Sequence, residues 1–221
     1  YNPMNDKFIS GSFSADDISG KKFCKKALLS ELGLADGDEP IISIVTRFVN
    51  HKGIDLIRCV FEEIVEMGVK FAILGSGEKI YEDFFREMSL RYPDRVSLTL
   101  GFVPELSHKI YAGADMFLMP SQSEPCGLAQ MISMRYGNVP IVRETGGLRD
   151  SVRDNGGVNG NGFTFKTYNA NDMLNAVKRA IHTYNDKKAW HALVKRAMNC
   201  DYSWKSSAEV YIKLYKEIIS Q

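Results

Sequence analysis

Arg47 and Lys52 lie in the stretch Thr46-Arg47-Phe48-Val49-Asn50-His51-Lys52-Gly53, between an apolar β-branched run and a helical pattern. At such a junction backbone N–H groups point outward, so two cations there suit a diphosphate. Read alone, the same loop is also consistent with two solvated surface charges. A second stretch is Pro120-Ser121-Gln122-Ser123-Glu124-Pro125-Cys126-Gly127-Leu128. Pro125 keeps Glu124 out of the helical region and projects its carboxylate at a strand end. Gly127 has no side chain, so a phosphate can approach the N–H groups of Gly127 and Leu128 closely. Donors for phosphate beside a carboxylate for hydroxyls make a clamp for a sugar diphosphate. The alternative role for Glu124 is a favourable charge at a helix N-terminus. Thr145-Gly146-Gly147 repeats the small-residue theme further along.

These loops need a scaffold, and the hydrophobic periodicity supplies one. β-branched or apolar runs at 41–45, 69–74, 96–100, 116–119, 140–142 and 163–165 read as strands. Helical patterns fall at 22–32, 54–65, up to about 91, 104–112, 127–136, 148–152, 171–184 and 187–198. Gly156 to Gly162 reads as an exposed loop. Alternating strands and helices with short links predict an α/β fold, a Rossmann-like parallel sheet with helices on both faces. Ligands in such folds bind at the carboxyl ends of strands, where the loops above lie.

Other chemistries find little support. Gly75-Ser76-Gly77 lacks the third glycine of a dinucleotide fingerprint. Asp36-Gly37-Asp38 has a metal-binding pattern but precedes the first strand, where a solvated turn is expected. The histidines at 51, 108, 182 and 191 have no Ser, Cys or metal-ligand neighbour in sequence that would build a triad or a zinc site. Cys24, Cys59, Cys126 and Cys200 have no metal-type spacing and read as thiols in a reducing compartment. Lys and Arg total 28 against 27 Asp and Glu, a net charge of +1 that provides no general field for nucleic acid or an anionic membrane. No apolar run approaches the ~18 residues of a membrane span. Tyr1-Asn2-Pro3 does not begin a signal peptide. A soluble, intracellular chain is the expectation.

Glu124-Pro125-Cys126-Gly127-Leu128, Met134 to Pro140 and Thr145-Gly146-Gly147-Leu148-Arg149-Asp150 resemble the bacterial glycogen synthase and plant starch synthase family. Arg47 with His51-Lys52-Gly53, Leu74 to Gly77, Ser107-His108 and Asp201-Tyr202-Ser203-Trp204 match it in the same order. The resemblance extends from Asn2-Pro3 to about Tyr215. It implies a retaining glycosyltransferase of the two-domain GT-B fold. Such an enzyme moves glucose from ADP-glucose to the non-reducing end of an α-1,4-glucan, in bacterial cytoplasm or in a plastid. The implied organisation is a lead-in segment with one helix (1–39), a Rossmann-like nucleotide-sugar-binding domain (40–200) and a C-terminal helix (201–221). That helix is expected to cross to an N-terminal domain absent from this sequence. Val210, Tyr211, Leu214, Tyr215 and Ile218 would form its apolar stripe.

By the same resemblance Arg47 and Lys52 hold the donor's distal phosphate and Glu124 the glucose hydroxyls. The N–H groups around Cys126, Gly127 and Leu128, with Thr145, Gly146 and Gly147 nearby, line the diphosphate. Phe102 takes the place of an aromatic, usually Tyr, against adenine. No metal and no cofactor are called for. With configuration retained and no carboxylate placed as nucleophile, the favoured reaction is same-face attack guided by the departing phosphate. His51 stands where Gln is usual, Ala129 where Thr is common, and Gln122-Ser123 replaces a more usual Arg-Phe or Ile-Phe pair. With one wall of the cleft, the isolated chain is expected to be inactive. Two rivals remain: a non-catalytic nucleotide- or glucan-binding module, and a UDP-sugar transferase of the same fold.

Overall fold

Short β-branched runs that alternate with amphipathic helices bury both their faces only inside a covered parallel sheet. The computed structural model, which describes residues 1–157 and 159–220, forms that sheet from β1 (Ile41–Val45), β2 (Lys70–Gly75), β3 (Val96–Leu100), β4 (Met116–Met119), β5 (Val139–Arg143) and β6 (Phe163–Phe165). The strands pair in parallel in the order β3-β2-β1-β4-β5-β6. Ile42 is in register with Phe71 on one side and Met116 on the other.

The helices divide between the two faces. On one, α2 (Ile54–Glu66) packs with α3 (Lys79–Arg91) and α7 (Ala170–Asn185). On the other lie α1 (Gly20–Glu31), α4 (Pro104–Gly113) and α5 (Ala129–Arg135), with α8 (Lys187–Met198) against α5. The side-chain alternation of the strands matches this division. Ile42, Ile44, Phe71 and Ile73 join the α2 core, where Phe61 stacks on Phe71 at 4.5 Å. Ile41, Ala72 and Leu74 meet Leu28, Leu29, Leu106 and Ile110 from α1 and α4. Each fully buried Ile, Leu or Phe among them contributes about 1.5–3 kcal/mol.

Because α4 carries the chain from edge strand β3 back to β4 beside β1, the winding reverses between β1 and β4. A crevice opens at the carboxyl ends of strands where winding reverses. The loops at 46–53 and 120–128 both leave from there.

Several boundaries differ from the sequence pattern. Helix α5 begins at Ala129, not Gly127, because Gly127 takes a φ of +75°, which an α-helix cannot incorporate. A six-residue helix, α6 (Gly146–Ser151), starts two residues before the expected Leu148, and α1 starts at Gly20. Val158, within the expected glycine-rich loop, and Gln221 lie outside the described residues. The poorly patterned N-terminal segment is pinned by one carboxylate. Asp6 Oδ2 accepts from the Tyr136 hydroxyl at 2.6 Å and meets His108 Nδ1 at 2.7 Å, while the Tyr1 ring stacks on His108. The fold thus gives His108 partners that its sequence neighbours do not.

The C-terminal helix α9 (Trp204–Ile219) is capped by Ser203, whose Oγ accepts from the Ser206 N–H. None of its residues is buried, and Val210, Tyr211, Leu214, Tyr215 and Ile218 are all exposed. Its apolar stripe has no cover among the described residues.

Candidate functional site

After β1 the chain turns around Phe48, which is fully buried. The Phe48 N–H donates to the Ser76 carbonyl at 2.8 Å, and the Phe48 carbonyl accepts from the Glu78 N–H at 2.7 Å. A Cβ on Gly75 would overlap the Thr46 carbonyl, and one on Gly77 the Phe48 carbonyl. The Gly75-Ser76-Gly77 run therefore braces the β1 loop. Seating Phe48 inward leaves its neighbour Arg47 exposed. A single 3₁₀ turn, Asn50–Lys52, then ends at Gly53 in the left-handed region (φ +76°), hard against the Pro120 carbonyl. The Gln122 N–H donates to the His51 carbonyl at 2.9 Å, which ties this loop to the one after β4.

That tie brings Lys52 and Glu124 together. Lys52 Nζ lies 2.5 Å from Glu124 Oε2, with only 14% and 11% of the two side chains exposed. Ser121 Oγ lies 3.5 Å from the same oxygen, a marginal contact. Arg47 forms no ion pair among the described residues, so it is an uncompensated cation on the rim of the crevice. Arg143, at the end of β5, fixes the other side. Its Nε donates to the Ser121 carbonyl at 3.0 Å, and its Nη2 donates to the Gln122 carbonyl. The Arg143 guanidinium also lies over the Tyr168 ring, whose hydroxyl donates to Asp55. Burial and that carboxylate push the Tyr168 phenol well above its usual range, so it remains a donor.

Residues 124–127 fold with their carbonyls inward. The Gly147 N–H donates to the carbonyls of Glu124 and Pro125 at 3.1 and 3.2 Å. Gln130 Nε2 donates to the carbonyls of Gly127 and Cys126 at 2.9 and 3.3 Å. Among the described residues the N–H groups of Cys126, Gly127 and Leu128 have no acceptor. Cys126 and Leu128 are exposed.

The expected site residues thus divide. Arg47, Lys52, Glu124, Cys126, Gly127 and Leu128 are brought to one crevice. Thr145, Gly146 and Gly147 border it, but the Gly147 N–H is already bonded to the loop and is not a free donor. Gly146 lies so close to the Glu124 carbonyl that a Cβ would overlap it. Phe102 stands 88% exposed beyond edge strand β3, on the same side of the sheet, and contacts no other described ring. Asp36 and Asp38 precede β1, at the opposite end of the sheet. Sequence reasoning missed Arg143 and Gln130. The position of Arg143 at the end of an apolar run was the available signal for the first, and Gln130, fully buried beneath the loop, gave none.

A doubly wound α/β domain with cations, a carboxylate and outward N–H groups at its winding reversal belongs to the broad class that takes anionic ligands there. The sequence pattern of the glycosyl transferases group 1 matches residues 28–197, and the chain belongs to that family. It is 51% identical over 222 residues to a glycogen synthase of Bacillus cereus (strain Q1) and 49% identical to one of Anoxybacillus flavithermus. Those alignments cover 99% and 100% of this chain but 47% and 46% of the relatives, so the chain spans about half their length. Among solved structures, the catalytic domain of starch synthase IV from Arabidopsis thaliana, bound to ADP and acarbose, superposes with a TM-score of 0.90 at 40% identity. That match covers 100% of this chain and 47% of that one. Sucrose-phosphate synthase from Thermosynechococcus elongatus, at 22% identity and a TM-score of 0.63, shares the fold; 88% of this chain and 49% of that one are covered. The fold is therefore that of one half of a GT-B glycosyltransferase.

Proposed function

We propose that this chain is the donor-binding half of a glycosyltransferase that takes glucose from ADP-glucose and adds it, with retention, to the non-reducing end of an α-1,4-glucan. The observation that carries the reading is the Lys52–Glu124 pair at the winding reversal, beside exposed Arg47 and three unbonded N–H groups. Support for the ligands comes from the neighbour bound to ADP and acarbose, and from glycogen synthases at about half identity.

Charge accounting gives each group a task. Breaking the glucosyl–phosphate bond creates an oxocarbenium-like sugar and adds negative charge to the departing diphosphate. Arg47 and Lys52 take the distal phosphate, and the N–H groups of Cys126, Gly127 and Leu128 take the remaining charge. Preorganised donors of this kind are commonly the largest catalytic term. Glu124 accepts from glucose hydroxyls. Phe102 offers its exposed ring to adenine. The acceptor glucan belongs to the other half of the protein, and α9 carries the apolar stripe that crosses to it.

The test is a titration of the chain with ADP and with UDP, followed by assay of the longer protein with radiolabelled ADP-glucose and a glucan primer. ADP binding tighter than UDP binding, and label incorporated into glucan, are the expected results. Tighter binding of UDP would overturn the donor assignment, and binding of neither nucleotide would overturn the site.

A further inference from the structure

The geometry points to Gln130 as the residue that positions the phosphate-facing donors of the 124–128 loop; this rests on the donor-binding reading above. In a trans peptide the carbonyl and the following N–H point in opposite directions. Whatever holds the Cys126 and Gly127 carbonyls inward therefore turns the Gly127 and Leu128 N–H groups outward. Gln130 Nε2 faces both carbonyls, at 3.3 and 2.9 Å, and its two N–H bonds are shared among them and Ser151 Oγ.

Three further observations fix the amide in that orientation. Ser151 Oγ donates to the Gly147 carbonyl at 2.6 Å, so it can only accept from Gln130 Nε2, which lies 3.1 Å away. Gln130 is completely buried, and its Oε1 has no hydrogen-bond partner among the described residues. Flipping the amide would set Oε1 against two carbonyls, so the unpaired oxygen is the cost of holding the loop. Finally, Oε1 lies where a Cβ of residue 127 would go, and φ at Gly127 is +75°, so glycine is the residue the loop accepts over this amide.

Gln130 thus reaches the ligand only through the backbone. The network runs from Gln130 through Ser151 to Gly147, whose own N–H holds the Glu124 and Pro125 carbonyls. Four successive carbonyls are held inward, which leaves the N–H groups of Cys126, Gly127 and Leu128 on the far side of their peptide planes.

The experiment is an ADP titration of the isotope-labelled chain and of its Gln130→Met and Gln130→Glu variants, followed through backbone amide resonances. In the unsubstituted chain ADP should shift the Gly127 and Leu128 resonances. Both variants should lose those shifts and at least about tenfold in affinity, as expected when donors to a charged group lose their aim. Variants that keep both the shifts and the affinity overturn the positioning role. An unsubstituted chain whose Gly127 and Leu128 resonances ignore bound ADP overturns the phosphate site itself. Should either variant fail to fold by circular dichroism, Ser151→Ala carries the test, because it removes the acceptor that orients Nε2 and the hydroxyl that holds the Gly147 carbonyl, and so breaks the network while leaving Gln130 itself in place. A loss of affinity with intact folding supports the role, and unchanged affinity and shifts overturn it.

Discussion

In the ligand-free chain Glu124 is the counter-ion of Lys52, so replacing Glu124 with Gln should tighten ADP binding. The two charges lie 2.5 Å apart, with 14% and 11% of their side chains exposed. At an effective dielectric of about 20, two unit charges ~3 Å apart attract by about 5 kcal/mol, most of which desolvation offsets. Breaking a fully buried pair costs about 3–5 kcal/mol; partial exposure reduces that to about 2 here. A phosphate that takes Lys52 must share the ammonium with a carboxylate that also repels it. Neutralising position 124 removes that repulsion and the competition, an expected gain of about 1 kcal/mol, or roughly fivefold in affinity.

Calorimetry of ADP binding at fixed pH and salt checks this, with Lys52→Met as the opposing variant. Lys52→Met should weaken binding by about 1.5–3 kcal/mol, the range for a charge-assisted contact. The double variant should bind more tightly than Lys52→Met by less than about 1 kcal/mol, since without Lys52 only the direct repulsion by Glu124 is left to remove. Weaker ADP binding by Glu124→Gln would refute the reasoning and make the carboxylate a ligand or prop of the nucleotide site. On the proposed role of Glu124 toward the sugar, the same substitution in a two-domain protein carrying this half should still cut turnover sharply.

Arg47→Ala should weaken ADP binding by about 1.5–3 kcal/mol while changing urea stability by less than about 0.5, since the side chain is exposed and has no ion-pair partner among the described residues. On the proposed reading of this chain as the donor-binding half alone, the purified chain should bind ADP but add no label from ADP-glucose to glycogen; incorporation would overturn this. Removing residues 204–221 should alter unfolding free energy by less than about 1 kcal/mol and reduce self-association in sedimentation, as an unburied apolar helix implies. Burial acts to raise the Asp154 carboxyl, but N–H groups of Thr164 and Gly156 and the Arg179 guanidinium outweigh it and hold it below its usual range. Its stabilising effect is therefore complete above the unfolded value of about 3.9 and is lost as pH falls through the lower folded value; Asp154→Asn should flatten that part of an acid unfolding curve.

What was legible in the sequence followed how local the determining physics is. The strand runs were readable because burial on both faces demands uninterrupted apolar residues, as in Ile41 to Val45. Lys52 and Glu124 were readable as separate charges, but their pairing depends on Gly53 fitting under the Pro120 carbonyl, a contact across 67 residues of chain. Gly127 was identified as permissive, yet assigned to a helix, because periodicity cannot distinguish a helical turn from a loop that enters one. The left-handed φ decides the point, and glycine is the residue that meets it here, because a side chain at 127 would also overlap Gln130 Oε1. The carbonyl orientation that aims the loop's donors likewise depends on Ser151 and Gly147, brought in from beyond the next strand. Residue types marked where charge would be handled, and the winding of the sheet decided which of them meet. Gln130 was invisible to motif reasoning for that reason: it touches no ligand, carries no charge, and acts through two peptide planes.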